Sequence, residues 1–169
     1  MAGEKEQFRF AETNRILLEQ VIAPAARAGS ILEIGCGEGH QSEHLLRLCQ
    51  RLTGVDVVAT AVERARARLP DRARAEFLVG DLHSQPWTAE RGQFDVVTAF
   101  EVIYYYKDIP EALAAMSSLG RACMITYHRP AVPLLEGPLR ALPIAGRATI
   151  TFGDTEWRAA WWFSGASRT

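Results

Sequence analysis

Glycine recurs at every second position through 35, 37 and 39 in Ile31-Leu32-Glu33-Ile34-Gly35-Cys36-Gly37-Glu38-Gly39-His40. An apolar run that stops on such a turn, with a helical pattern following, leaves few folds open. Glycine lets the backbone turn sharply and approach a ligand with no Cβ in the way. The start of the next helix adds unpaired N–H groups. A strand, a glycine turn and a helix in this order suit a nucleotide or nucleoside bound at the carboxyl end of a parallel sheet.

The rest of the chain agrees with that reading. Ahead of the turn, Ile16, Leu17, Val21 and Ala25 repeat at helical spacing from Phe10 to about Ala28, with Pro24 expected to kink or end the helix. Residues 1–28 read as an N-terminal lid segment and helix. After it, strands are expected at Ile31–Ile34, Leu52–Val58, Glu76–Val79, Phe94–Phe100 and Ala122–Tyr127. Helices alternate with them at Gln41–Gln50, Thr60–Leu69 and Asp108–Leu119. Alternation of this kind predicts a mainly parallel sheet covered on both faces. One short helix is expected around Leu134–Leu142. Ala148–Phe152 and Trp157–Phe163 then lie so close that they must pair antiparallel. No internal repeat or domain boundary is visible, so residues 1–169 read as one domain.

Composition narrows the class. The net charge of -1 gives no electrostatic footprint for nucleic acid, so no nucleic-acid partner is expected. Cys36, Cys49 and Cys123 form no metal-ligand spacing, and three thiols fit a reducing compartment better than a disulfide framework. No segment reaches the roughly 18 apolar residues of a membrane span. With no apolar leader in MAGEKEQFRF, the expected location is the cytoplasm.

The glycine spacing discriminates between cofactors. A dinucleotide fingerprint needs G-x-G-x-x-G, and here position 40 is histidine. Glu33, just before the first glycine, is a poor neighbour for a pyrophosphate and a good one for a cation such as the ammonium and sulfonium of S-adenosylmethionine (SAM). Asp56 ends the second strand, where a carboxylate can accept both ribose hydroxyls. Asp81 follows the third, in reach of an adenine amino group. Asp95 opens the fourth strand at the opposite end and reads as structural.

With these motifs the chain resembles the class I SAM-dependent methyltransferases from about residue 10 onward. The resemblance implies a Rossmann-like, doubly wound seven-stranded sheet of order 3-2-1-4-5-7-6 with strand 7 antiparallel. It implies SAM as cofactor and S-adenosylhomocysteine as product. Arg9, Glu33, Gly35, Cys36, Gly37, Gly39, Asp56, Val57, Asp81, Leu82, Phe100 and Glu101 are the expected cofactor-binding residues. Phe8-Arg9-Phe10, Glu101-Val102-Ile103-Tyr104-Tyr105-Tyr106 and Ile125-Thr126-Tyr127-His128-Arg129-Pro130 further resemble segments of the NodS-like N-methyltransferases. Ser118-Leu119-Gly120-Arg121 departs from that pattern before strand five, where a proline-glycine-glycine stands in the family.

Direct methyl transfer needs positioning more than a nucleophile or metal. The expected acceptor is an amine or hydroxyl of a small, sugar-like or natural-product molecule, with His128 or a tyrosine, Tyr104 preferred, assisting deprotonation. Arg9 is expected to pair with the SAM carboxylate. His40 and His44 share a helix face but lack a third ligand, so no metal is expected. The acceptor site is expected to be shallow, completed in a possible homodimer. The competing readings are a non-catalytic SAM-binding partner or sensor, an NAD-dependent oxidoreductase, and a nucleic-acid methyltransferase.

Overall fold

The computed structural model describes residues 3–22, 28–85 and 94–164. The expected kink at Pro24 and the apolar position Ala25 lie outside them. Strands β1 (Ala28–Ile34), β2 (Cys49–Asp56), β3 (Ala75–Val79), β4 (Phe94–Phe100), β5 (Gly120–His128), β6 (Ile144–Phe152) and β7 (Thr155–Phe163) form one sheet. Its order is β3-β2-β1-β4-β5-β7-β6. The pairings from β3 across to β5 are parallel, and β7 runs antiparallel to both β5 and β6. The expected architecture is therefore the observed one.

Burial on both faces explains the continuous apolar strands, because side chains alternate sides with period two. Ile31 and Val96 enter one core while Leu32 and Val97 enter the other. The last strand follows the same rule. Trp157 and Trp161 pack on the first face, and Trp162 on the second. Trp162 is fully buried, and its indole N–H donates to Ser117 Oγ at 2.8 Å. Ser117 belongs to helix α4 (Ile109–Leu119), which packs with α5 (Val132–Leu139) on that face. Asp108 caps α4 by accepting the Glu111 N–H at 2.9 Å.

Several boundaries shift by a few residues, and the two largest shifts are in the first two helices. Helix α1 spans Glu4–Ile16 and runs on as a π-helical turn, Leu17–Ile22. It begins well before Phe10 because its buried face includes Arg9 and Thr13 alongside Phe10 and Ile16. An apolar pattern does not register such a face. Helix α2 covers only His40–Leu45, and Cys49 already pairs with Ala28 as strand. Leu45, Leu48 and Cys49 are all buried at helical spacing, so the period runs on past the helix end. Helix α3 (Ala59–Arg68) completes the layer beside β2 and β3. Asp95 accepts the N–H groups of Gly29 (2.9 Å) and Ser30 (3.2 Å), the structural role expected of it.

Candidate active site

Parallel pairing brings the ends of β1, β2, β3, β4 and β5 to one edge of the sheet. A cavity of about 630 Å³ opens there. Its walls are the chain at the end of β1 (Ile34, Gly35), at the end of β2 (Val55, Asp56, Val57), after β3 (Gly80, Asp81, His83) and after β4 (Val102, Tyr105 to Asp108, Glu111).

The glycine turn takes its shape from positive φ at Gly35 (73°), Gly37 (53°) and Gly39 (83°). At Gly35 space is also closed, since a Cβ there would lie 2.6 Å from Val102 Cγ2. The turn thus lies directly against the segment that follows β4. Asp56 braces it from the other side. Its Oδ2 accepts the Gly37 N–H and its Oδ1 the Val58 N–H, both at 2.9 Å. Asp81 closes a turn of its own, accepting from His83 at 2.8 Å and Ser84 at 3.0 Å. A carboxylate has about four lone-pair sites, so both acids keep acceptor capacity toward the cavity. Val57 is 68% exposed, an apolar surface beside them. Acids at two adjacent strand ends, an apolar flank and a glycine cradle fit a nucleoside with a diol and an exocyclic amine. These residues fit SAM.

Of the expected cofactor residues, Gly35, Asp56, Val57 and Asp81 line this cavity. Glu33, Cys36 and Leu82 are buried and do not line it. Gly37 and Gly39 shape the turn without lining the cavity. Glu33 is 2% exposed and accepts the Ser42 hydroxyl at 2.5 Å. Burial, with Asp56 adding to it, pushes its carboxyl up to about 8 against the pull of Ser42. Burial likewise raises the Cys36 thiol.

A second cluster forms beside the cavity, where β4 and β5 end. Glu101 Oε1 accepts the Tyr104 hydroxyl at 3.4 Å and lies 3.7 Å from Nδ1 of His128. The Tyr104 and His128 rings meet edge to face, with centroids 4.7 Å apart. Burial raises the Glu101 carboxyl, opposed chiefly by Arg9 and then by Thr126, His128 and Tyr104. Tyr104 is raised too, by burial and then by Glu101, so its hydroxyl keeps its proton and donates. Arg9 is no free lid group. It is 8% exposed, pairs with Glu6 at 2.6 Å and lies over the Phe10 ring at 4.8 Å. Phe100 is buried in the core just below.

Sequence reasoning left the outer wall undivided. Tyr105 and Tyr106 line the cavity where Tyr104 does not, and His83 packs edge-on against Tyr106 at 6.2 Å. Lys107, Asp108 and Glu111 complete that wall. Through the tight 3-10 turn Ile103–Tyr105 the Tyr104 and Tyr105 rings stay in contact, centroids 4.7 Å apart, yet only Tyr105 and Tyr106 reach the cavity, which composition alone does not encode. His40 and His44 both pack their rings on Phe10, and among the described residues no group of three His, Cys, Asp or Glu side chains is arranged to hold a metal.

The profile of a methyltransferase domain family matches residues 31–122. Nodulation protein S of Bradyrhizobium diazoefficiens is 36% identical over 114 residues, 68% of this chain and 51% of that protein. Its counterpart in Rhizobium tropici is 39% identical over 106 residues, 63% and 42% of the two chains. The chain thus spans about half the length of the curated relatives it matches. The crystal structure of the N-methyltransferase NodS from Bradyrhizobium japonicum WM9 superposes with a TM-score of 0.72 at 23% identity, covering 94% of this chain and 97% of that one. Magnesium protoporphyrin IX methyltransferase from Synechocystis PCC 6803, with bound SAM, gives 0.74 at 16% identity, over 94% and 80%. At these identities the structures show a common fold. The family match covers more than half the sequence, and the chain belongs to the methyltransferase domain family, with the sheet of the class I SAM-dependent methyltransferases and a resemblance to NodS.

Proposed function

We propose that this chain binds SAM in the 630 Å³ cavity and transfers its methyl group to an amine or hydroxyl of a small, sugar-like or natural-product acceptor. The observation that carries the reading is the meeting of Asp56, Asp81 and the Gly35 turn around one cavity. SAM, when bound, supplies an electrophilic methyl group on its sulfonium. The chain's task is to hold the two reactants in line and keep water away.

In this reading Asp56 takes the ribose hydroxyls, and Asp81 the adenine edge between Val57 and the wall after β4. Arg9, already among carboxylates, takes the amino-acid carboxylate of the cofactor. Glu33 supports the turn from beneath. His128, with its side chain 37% exposed, takes the acceptor's proton. Tyr104 holds the cluster in place rather than acting as a base. An amine is favoured over a hydroxyl by the resemblance to an N-methyltransferase.

The test is transfer of a labelled methyl group from SAM to a panel of amino sugars and matched sugars lacking the amine. Label in the amino sugars, lost in Asp56→Ala, is the expected result. Cofactor binding without transfer to any member of either set contradicts the acceptor class.

A further inference from the structure

Glu101 is the one non-glycine residue with positive φ among the described residues, at 58°. Left-handed backbone is strained for a residue with a Cβ. Such outliers collect where a side chain must be aimed, and the inference runs from the outlier to a role. Here the conformation is held by the Glu101 N–H, which donates to the Thr126 carbonyl at 3.0 Å across the end of the sheet. It turns the carboxylate in between β4 and β5, where the side chain keeps only 15% exposure. Oε2 is buried without a hydrogen-bond partner in the structure, on a residue that also neighbours Arg9 and Thr126. Oε1 takes the Tyr104 hydroxyl and faces Nδ1 of His128.

That arrangement treats the two ring nitrogens of His128 differently. Nδ1 is turned to a carboxylate, and Nε2 has no hydrogen bond or ion pair among the described residues, on a side chain that is 37% exposed. The hydrogen bond at one nitrogen decides which of the two carries the proton. At 3.7 Å the Nδ1 contact is a charge contact rather than a full hydrogen bond. Contacts of this kind tighten when substrate arrives.

We infer that Glu101 is a positioning residue that holds His128 as the Nδ1–H tautomer, with Tyr104 fixing the carboxylate, so that Nε2 is the proton acceptor for the acceptor amine. The proton moves from the acceptor nitrogen to Nε2, leaving the nitrogen lone pair free for the methyl group. The imidazolium returns the proton to water through its exposed side. The proton step rests on the methyl-transfer reading above, but the tautomer is a property of the protein alone and is tested without any reaction.

The experiment is ¹⁵N NMR of the histidine ring nitrogens in the full chain with the rings neutral, His128 being assigned by its absence in His128→Asn. The expected wild-type spectrum shows predominantly Nδ1–H at His128. Glu101→Leu, with a folded amide spectrum, is expected to shift the population to predominantly Nε2–H. A wild-type ring that is predominantly Nε2–H overturns the inference, whatever the fate of Glu101→Leu. An unchanged tautomer in folded Glu101→Leu overturns it as well. Calorimetry with S-adenosylhomocysteine on the wild type reports separately on the methyl-transfer reading, so the two failures are distinct.

Discussion

The Asp56 carboxylate accepts the Gly37 N–H at 2.9 Å, so a single side chain at the end of β2 holds the glycine turn that follows β1. A second bond, from Val58 at 2.9 Å, fixes the carboxylate itself. Hydrogen bonds to a charged group contribute roughly 1.5–3 kcal/mol each. The Val58 bond is exposed to solvent and contributes less, so Asp56→Ala is expected to lose about 2–4 kcal/mol in urea unfolding. It is also expected to weaken S-adenosylhomocysteine binding by at least about tenfold, the equivalent of ~1.4 kcal/mol. Asp56→Asn keeps an acceptor and loses less of both. Lost stability with unchanged affinity reduces Asp56 to a brace.

The glycines of the turn separate strain from space. Gly35 has φ of 73° and no room for a Cβ against Val102, whereas Gly37 has φ of 53° and nothing within 4 Å. Gly37→Ala meets only the left-handed penalty of about 1–2 kcal/mol. Gly35→Ala meets that and a clash with a segment lining the cavity. Thermal unfolding and ligand calorimetry are expected to rank Gly35→Ala as the more damaging. Equal effects contradict the packing of Val102 on the turn.

Glu33 gives stability a pH dependence. Its carboxyl stands at about 8 in the folded chain against an ordinary 4.5, so the folded state keeps a proton that the unfolded state releases. Stability from this site is full below about 4.5 and falls as the pH rises toward 8. The slope is at most about 1.4 kcal/mol per pH unit. Glu33→Gln removes the titration, so its stability relative to wild type is expected to improve from pH 5 to pH 8, as read by urea midpoints. A difference between the two proteins that does not vary with pH contradicts the buried, protonated carboxyl.

The Trp162–Ser117 bond ties the last strand to α4. Ser117→Ala leaves a buried indole N–H unsatisfied, and the expected cost is about 1–3 kcal/mol. Chemical denaturation measures it. A change under ~0.5 kcal/mol places the stability of this contact in ring packing alone.

Much of this was legible because strand ends and functional positions coincide. Phe94–Phe100 is apolar apart from Asp95 at its start and Thr98, as suits a doubly covered strand, and its bounds were read from sequence. Gly35, Asp56 and Asp81 stand at successive strand ends, so a parallel sheet brings them together without further information. The acceptor side was less legible because its contacts depend on local turns. Nothing in three consecutive tyrosines says that Tyr104 turns to Glu101 while Tyr105 and Tyr106 face the cavity. Arg9 was named from sequence, but its burial was hidden for a different reason. A buried arginine on a helix breaks the apolar pattern that marks a packed face, and its partners Glu6 and Glu101 lie on separate elements.

The central claim is a nucleoside cofactor site built around Asp56. Calorimetric titration of S-adenosylhomocysteine and, separately, NAD into the purified chain tests it most directly, with Asp56→Ala as control. The account predicts micromolar binding of S-adenosylhomocysteine, lost in the variant, and no heat with NAD. NAD binding in its place, or S-adenosylhomocysteine binding unaffected by Asp56→Ala, contradicts it.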